Sequence, residues 1–299
     1  MALAQTRAAA HAPVEIAGAV QFDVTSKTNG RAYRVFVSAP PGPAPAGGWP
    51  MVVLTDGNLS FPIGAMMGRV LAMEGDSAAA LVVAVGYPSQ NPPEFLRRRV
   101  RDLTPPTPLA NIRRPPPGQP PLREDEVGDA EGFFRFLTEE LPALIAADWP
   151  VNGARTALYG HSLGGLFVLQ ALFDHPGAYR SFVASSPSIW WNNRALLAGE
   201  AGFARQVTAK EVAPRVLITI GGYEQSMPAR LPPGMDEPQM RSLIEEARMV
   251  DNARELGARL AQLEGGPGYL ARFTALDGDD HGTALSTSIG RALAFALRS

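Results

Sequence analysis

The chain has 299 residues, of which 45% are hydrophobic, and its formal net charge is −2. This length and composition allow one large domain with a sizeable core, and the scattered basic residues do not form the charged surface that nucleic-acid binding requires. The absence of cysteine excludes disulfides, a thiol nucleophile and thiolate metal ligands, and the absence of an apolar run of about 18 residues argues against stable insertion into a membrane.

The N-terminal residues differ in composition from the rest. Residues 1–14 are predicted to be disordered, and residues 15–299 to form a single domain. Ala4, the last residue of an Ala-Leu-Ala triplet before Gln5, resembles the end of a signal peptide. We therefore expect a periplasmic or secreted protein, the alternative being an ordinary alanine-rich terminus of a cytoplasmic one.

Short β-like runs recur along the chain and, in its second half, alternate with helical patterns. This alternation predicts an α/β protein with a mostly parallel sheet, helices on both faces and an antiparallel edge made by the first two strands. The runs lie at residues 20–24, 33–38, 51–54, 81–85, 156–158, 181–184, 216–220 and 269–274.

A turn signal follows the third of these runs. Gly57, between Asp56 and Asn58, allows the backbone to turn sharply. The N–H groups around Gly57, those of Asn58 or Leu59 in particular, would then face a ligand at the carboxyl edge of the sheet.

Two unusual segments separate the fourth and fifth runs. Residues 96–102 are rich in arginine, which suits an anionic ligand or simply a solvated face. Residues 104–126 are rich in proline and are predicted to be semi-extended. Because they precede the helical pattern at residues 131–145, they would emerge where open α/β folds bind ligands, either as a wall of the site or as a surface excursion.

A Gly-x-Ser-x-Gly pattern, Gly160 to Gly164 around Ser162, follows the fifth run, and residues 164–173 after it are apolar on every face. Such a helix is buried against a sheet. In a sharp strand-to-helix turn the two glycines prevent clashes, so the serine hydroxyl stands clear of the backbone. Ser162 is therefore the candidate nucleophile.

The same turn predicts where a developing oxyanion would be held. The first helical N–H, that of Leu163, would point toward a carbonyl attacked by Ser162. In folds of this kind a second donor comes from the loop after the third strand, which here is the turn at Gly57 and Asn58. Leu163, Gly57 and Asn58 are thus the candidate oxyanion donors.

Two adjacent tryptophans, Trp190 and Trp191, follow the sixth run. In a loop, at least one of the rings would be exposed unless another segment covers it. Aromatic faces suit flat or acyl ligands, so both are candidate substrate-binding residues, with core packing as the competing explanation.

A serine nucleophile needs a base and an acid that orients it. His281 lies after the last strand-like run and before a predicted helix at residues 284–297, where the base of an α/β-hydrolase is expected. The acid should follow the penultimate strand, which favours Glu224, with Asp236 and Asp251 as alternatives. The other histidines are interpreted as structural or solvated: His11, His161 and His175.

Several motifs together resemble the esterase D-type "putative esterase" family of α/β-hydrolases, and within it the bacterial siderophore esterases that open enterobactin-type trilactones. The motifs are YGHSLGGLFV (residues 159–168), FVASSPSIWW (182–191), TDGN (55–58), VGYP (85–88), RDLTP (101–105) and DHG (280–282). The resemblance implies an α/β-hydrolase fold from about residue 15 onward, nucleophile and base at Ser162 and His281, and a siderophore contact at Arg99. In some of those enzymes the acid is weak or absent, so the resemblance does not fix the role of Glu224.

The predicted function is ester hydrolysis through an acyl-enzyme, without a cofactor or metal, on a small-molecule ester such as the trilactone of a catecholate siderophore. Three alternatives use the same residues: a general carboxylesterase for small acyl or aryl esters, an amide or polyamide hydrolase, and an acyltransferase. A catalytically idle binding protein is disfavoured because the serine, the histidine and both glycines are present.

Overall fold

The computed structural model describes residues 13–75, 77–112 and 120–298. The expected signal-peptide remnant and all but two residues of the predicted disordered segment 1–14 lie outside these residues, as does His11. Within them, no helix is both long and apolar enough to cross a membrane.

Within the described residues, eight strands form one sheet in the order β1-β2-β4-β3-β5-β6-β7-β8. β2 runs antiparallel to β1 and β4, and the remaining neighbours pair in parallel. This confirms the mostly parallel sheet with an antiparallel edge. The strands are β1 (Ala19–Thr25), β2 (Ala32–Ser38), β3 (Trp49–Leu54), β4 (Leu81–Gly86), β5 (Val151–His161), β6 (Ser181–Ser185), β7 (Arg215–Gly221) and β8 (Leu270–Leu276).

Helices cover both faces of the sheet, as predicted. Their bounds are α1 (Gly57–Met73), α2 (Pro92–Leu103), α3 (Ala130–Arg135), α4 (Leu141–Ala146), α5 (Leu163–Asp174), α6 (Trp191–Arg194), α7 (Glu200–Thr208), α8 (Glu237–Ala247), α9 (Met249–Ala261) and α10 (His281–Leu297). Alternate residues of β3 belong to two separate cores: Val53 belongs to the core that includes residues of α3, α5 and α9, whereas Val52 belongs to the core that includes residues of α1 and α10. The two-residue period of a strand thus builds a core on each face.

Three elements differ from the sequence expectation. The proline-rich segment contains short 3-10 turns at Leu109–Asn111 and Glu124–Glu126 rather than being extended throughout; its residues 113–119 lie outside the described part. The helical stretch predicted at residues 131–145 is interrupted by a π-helical turn at Phe136–Glu140. The last helix begins at His281, because the Asp280 carboxylate accepts the N–H groups of the first turn.

The topology brings five chain-distant loops to one edge of the sheet. Because β3 and β5 to β8 run in parallel, their carboxyl ends lie side by side. The residues that follow these strands are Asp56, Ser162, Ser186, Glu224 and His281.

Candidate active site

Ser162 occupies a strained turn between β5 and α5. Its φ and ψ are 62° and −118°, a region that L residues avoid and that costs on the order of 1–3 kcal/mol. Neighbouring backbone groups hold it: the Ser162 N–H donates to the Ser185 carbonyl at 3.0 Å, and the Ser162 carbonyl accepts from Ser188 at 3.1 Å. A Cβ at Gly160 would overlap the Gly164 carbonyl, and one at Gly164 would overlap the Thr55 hydroxyl. The pattern therefore requires both glycines.

The structure brings together the three residues expected to act as nucleophile, base and acid. His281 Nε2 lies 3.0 Å from Ser162 Oγ, and His281 Nδ1 lies 2.6 Å from Glu224 Oε2. The Glu224 side chain is 1% exposed, whereas that of His281 is 47% exposed. A buried carboxylate thus contacts one side of an imidazole whose other side meets the serine hydroxyl.

The two rival acids have other partners. Asp236 caps α8 by accepting the Gln239 N–H at 2.8 Å. Asp251 accepts a hydrogen bond from Gln225 at 2.7 Å. Among the three carboxylates considered, the one bonded to His281 is Glu224.

Ser186 fixes the orientation of Glu224 and was not anticipated from the sequence. Oε1 of Glu224 accepts hydrogen bonds from the Ser186 hydroxyl and, at 2.8 Å, from the Gly221 N–H. Oε2 is left for His281. Ser186 is fully buried and its φ is 44°. In the sequence it is only the second serine after a strand, and a serine in a loop gives no signal of a distant carboxylate partner.

The predicted oxyanion donors lie at two helix starts. Leu163 is the first residue of α5, and Gly57 that of α1. Among the described residues, the N–H groups of Gly57 and Asn58 have no hydrogen-bond acceptor, whereas the Leu59 N–H donates to the Asp56 carbonyl at 2.8 Å. Leu59, the open alternative to Asn58, is therefore engaged within the turn.

The side chain of Asn58 has a structural role. Its amide donates to the carbonyls of Tyr87 and Ser89 at 3.0 and 2.9 Å and accepts the Tyr87 N–H at 2.7 Å. Asn58 can therefore contribute only its backbone N–H to an oxyanion site.

Ser162, Glu224 and His281 open into a cavity of about 880 Å³ whose lining is mostly apolar. Trp190 and Trp191 both line it, and the Trp191 indole N–H donates to Thr107 at 2.9 Å. The proline-rich segment contributes Ile112, Pro120 and Leu122, so its described part is a wall of the cavity rather than a surface excursion. The remaining lining residues are Pro92, Pro93, Leu96, Arg97, Val100, Ser188, Met240, Leu243, Ile244, Ala247 and Met249.

Arg99, expected to contact substrate, does not line this cavity. Its side chain is 12% exposed and forms a two-point ion pair with Asp56. The cavity arginine is Arg97, which pairs with Glu126. Residues two apart on a helix point to nearly opposite sides, so only one of the two arginines can face the cavity. The structure thus places Arg99 against Asp56 and not among the lining residues, so the expected substrate contact of Arg99 stays a prediction without support from this geometry.

His161, interpreted as structural, lies against the candidate base. Its ring centroid is 4.7 Å from that of His281, and its Nδ1 is 3.2 Å from the Ser185 hydroxyl. Burial, together with His281 and Arg99 nearby, lowers the pKa of His161 well below its ordinary value of 6.5. His175 lies elsewhere, stacked on Phe134.

The lowered pKa of His161 predicts an acid-sensitive stability. The ordinary pKa of histidine is 6.5. Below this pH His161 binds a proton in the unfolded chain but stays neutral in the folded chain. The free energy of unfolding therefore falls as pH drops, by up to about 1.4 kcal/mol per pH unit from this residue. Urea unfolding from pH 6.5 to roughly pH 5 should show a shallower fall for His161→Phe than for the unmodified protein. If the free energy of unfolding fell equally steeply with pH in both proteins, the lowered pKa of His161 would be contradicted.

Fold and site together define a hydrolase of the α/β-hydrolase class. Residues 26–269 match the family model described as "Putative esterase", and the chain belongs to this family. In the described residues, no group of three or more histidine, aspartate or glutamate side chains is arranged to hold a metal ion.

The curated relatives that match four fifths or more of the chain are siderophore esterases. The ferri-bacillibactin esterase BesA of Bacillus subtilis is 36% identical over 279 residues, covering 92% of this chain and 88% of the relative. The siderophore triacetylfusarinine C esterase of Aspergillus fumigatus is 33% identical, covering 82% and 80%. Among solved structures, the BES protein of Bacillus cereus superposes with a TM-score of 0.80 at 29% identity, covering 97% of this chain and 100% of that chain. Like these relatives, the chain is an esterase.

Proposed function

We propose that this esterase opens the trilactone ring of catecholate siderophores, with Ser162 as nucleophile, His281 as base and Glu224 as the orienting acid. The observation that carries the proposal is the continuous chain of hydrogen bonds from Glu224 through His281 to Ser162 at the floor of an apolar cavity. The three side chains line this cavity, so an ester bound in it would lie next to the Ser162 hydroxyl.

The first half of the reaction forms an acyl-enzyme. His281 Nε2 takes the proton of Ser162 as Oγ bonds to the ester carbonyl carbon, and the carbonyl π electrons move to its oxygen. The N–H groups of Leu163 and of Gly57 or Asn58 stabilise this oxyanion. Collapse of the intermediate breaks the ester C–O bond, and His281 returns its proton to the leaving alkoxide.

Water completes the cycle. His281 removes a proton from water while the hydroxide attacks the acyl carbon, and Ser162 leaves with the proton that His281 returns. Glu224 holds the Nδ1–H of His281 and stabilises the imidazolium formed in both halves. For a trilactone, the first turnover gives a linear trimer, and further turnovers of its esters give monomers.

The cavity supports a bulky aromatic substrate. At about 880 Å³ it lies in the upper part of the range for small-molecule sites. Its walls offer the indole of Trp190 and apolar side chains of α8, such as Leu243, and these surfaces suit flat aromatic rings. The names of the relatives point to siderophore esters as the wider substrate class. Periplasmic or secreted localisation is part of the proposal and rests on the Ala-Leu-Ala triplet before Gln5.

A panel of esters tests the substrate. The unmodified protein and its Ser162→Ala variant are incubated with apo and ferric catecholate trilactone, p-nitrophenyl butyrate, a feruloyl ester and a β-linked polyamide, and products are identified by mass spectrometry. We expect Ser162-dependent linear trimer and monomers, with kcat/KM for a trilactone about 100-fold above that for p-nitrophenyl butyrate, equivalent to roughly 3 kcal/mol of extra transition-state binding.

Three other product patterns would each indicate a different function. Turnover of only the small esters would replace it with a general carboxylesterase. Polyamide cleavage would indicate an amide hydrolase. A transfer product in the presence of an added alcohol, at the expense of the free acid, would indicate an acyltransferase.

A further inference from the structure

A buried ion pair connects the two segments that carry the candidate oxyanion donors. Arg99 Nε lies 2.6 Å from Asp56 Oδ1, and its Nη2 lies 2.9 Å from Oδ2. The same Nη2 donates to the His161 carbonyl at 3.3 Å. One guanidinium on α2 therefore contacts both the turn after β3 and the end of β5, immediately before Ser162.

The backbone conformation of Asp56 determines the direction of the chain in the turn after β3. Its φ and ψ are 56° and 45°, left-handed for a residue with a side chain, and its carbonyl accepts the N–H groups of Leu59 and Ser60 at 2.8 and 3.0 Å. The backbone N–H groups of Gly57 and Asn58, directly after it, depend on this conformation for their direction. The side chain of Asp56 is 9% exposed, so its rotamer is fixed by Arg99 rather than by solvent.

The Asp56 carboxylate also lies beside the nucleophile elbow. A Cβ built at Gly164 would be 3.2 Å from Asp56 Oδ2, which places the carboxylate against the first turn of α5. An unpaired negative charge here would repel an oxyanion held by Leu163 and the Gly57 turn. Burial lowers the pKa of Arg99, but attraction to Asp56 outweighs this and raises it, so the guanidinium stays charged.

We infer that Arg99 and Asp56 are positioning residues for ester hydrolysis: the pair holds the Gly57–Asn58 N–H groups at the oxyanion site and cancels the carboxylate charge beside it, without contact to substrate. The inference rests on the proposed function, because the direction of these N–H groups matters only if Ser162 forms a tetrahedral intermediate. It also gives Arg99 a role other than the siderophore contact expected from the resemblance.

The test combines substrate kinetics with a transition-state analogue. A trifluoromethyl ketone forms a bond between its carbonyl carbon and Ser162 Oγ. The carbonyl π electrons move to the oxygen, which becomes an oxyanion, and the hydroxyl proton moves to His281. The affinity of the ketone therefore reports the oxyanion site. The variants Arg99→Met, Arg99→Lys, Asp56→Asn and the double variant Arg99→Met with Asp56→Asn are compared for kcat, KM, inhibitor affinity and Tm.

Arg31 offers a matched control. It is a largely buried arginine paired with Asp102 and Asp129, it is distant from Arg99 in sequence, and it does not line the cavity. Arg31→Met should lower Tm without changing kcat or inhibitor affinity measured below Tm. This separates a general loss of stability from an effect on the oxyanion site.

For Arg99→Met we expect kcat to fall about 100-fold, as on loss of one oxyanion donor, with inhibitor affinity falling in parallel and KM changing less than about twofold. Arg99→Lys, which keeps the charge and loses the two-point geometry, should fall between this variant and the unmodified protein. Because the two residues act as one unit, the double variant should lose little more than either single variant.

Unchanged kcat and inhibitor affinity in folded Arg99→Lys and Asp56→Asn would overturn the inference, as would a rise in KM alone, which would indicate substrate contact. Failure of the proposed function has a different signature: the unmodified protein would not bind the ketone and Ser162→Ala would retain activity.

Discussion

Replacing Ser162 with alanine should lower kcat for ester hydrolysis by about 10⁴-fold or more, because the variant has no oxygen that can form the acyl-enzyme. The residual rate would come from binding and the N–H groups at the oxyanion site. The strained φ of 62° should persist in the variant, because the hydrogen bonds that hold this residue to Ser185 and Ser188 are made by its backbone. Initial rates with p-nitrophenyl butyrate, measured on protein purified from a strain lacking contaminating esterases, provide the test.

Ser286→Ala is the matched control. Ser286 is exposed on α10 and donates to the Thr283 carbonyl within the same helix at 2.9 Å, so its loss should leave kcat within about twofold. If Ser162→Ala kept more than a few per cent of the activity while folded, another group would be the nucleophile.

The second large effect is expected from Glu224→Gln, with a loss of about 10³- to 10⁴-fold in kcat. The amide has nearly the shape of the carboxylate, and its oxygen can still accept from Ser186 and Gly221. Its NH₂ group would then face His281 Nδ1 and favour the wrong imidazole tautomer, and the charge that stabilises the imidazolium would be missing. KM should change little, because Glu224 is 1% exposed and acts through His281.

Asp251→Asn serves as its control, since Asp251 is the rival carboxylate and is bonded to Gln225 instead; its kcat should stay within about twofold. Retention of a third or more of the activity by Glu224→Gln would mean that Ser162 and His281 suffice as a pair. This outcome would match the weak or absent acid of some enzymes that the sequence resembles.

Patterns that depend on a short, continuous stretch of chain were sufficient to predict much of the fold. The apolar runs of β4 and β7 identify doubly covered strands, and the order of strands and helices predicts the parallel sheet. The strained turn at Ser162 could also be predicted, since the need for small residues two positions on either side appears directly in the sequence.

Side-chain direction and long-range partners could not be predicted in the same way. The arginine-rich run contains both Arg97 and Arg99, and only the helix geometry of α2 determines that Arg97 faces the cavity while Arg99 turns to Asp56. Ser186 and Glu224 are 38 residues apart, and no local pattern joins them. The placement of the proline-rich wall beside Trp191 likewise depends on tertiary packing, because the contact from Thr107 spans 84 residues.

Active-site labelling tests whether Ser162 is the nucleophile of this esterase. The protein is treated with a fluorophosphonate, digested, and the modified peptide sequenced by tandem mass spectrometry, with Ser162→Ala and Glu224→Gln treated in parallel. We expect one adduct per chain, on Ser162, absent from Ser162→Ala and formed more slowly in Glu224→Gln. An adduct on Ser188, which also lines the cavity, or no adduct in the unmodified, catalytically active protein, would contradict it.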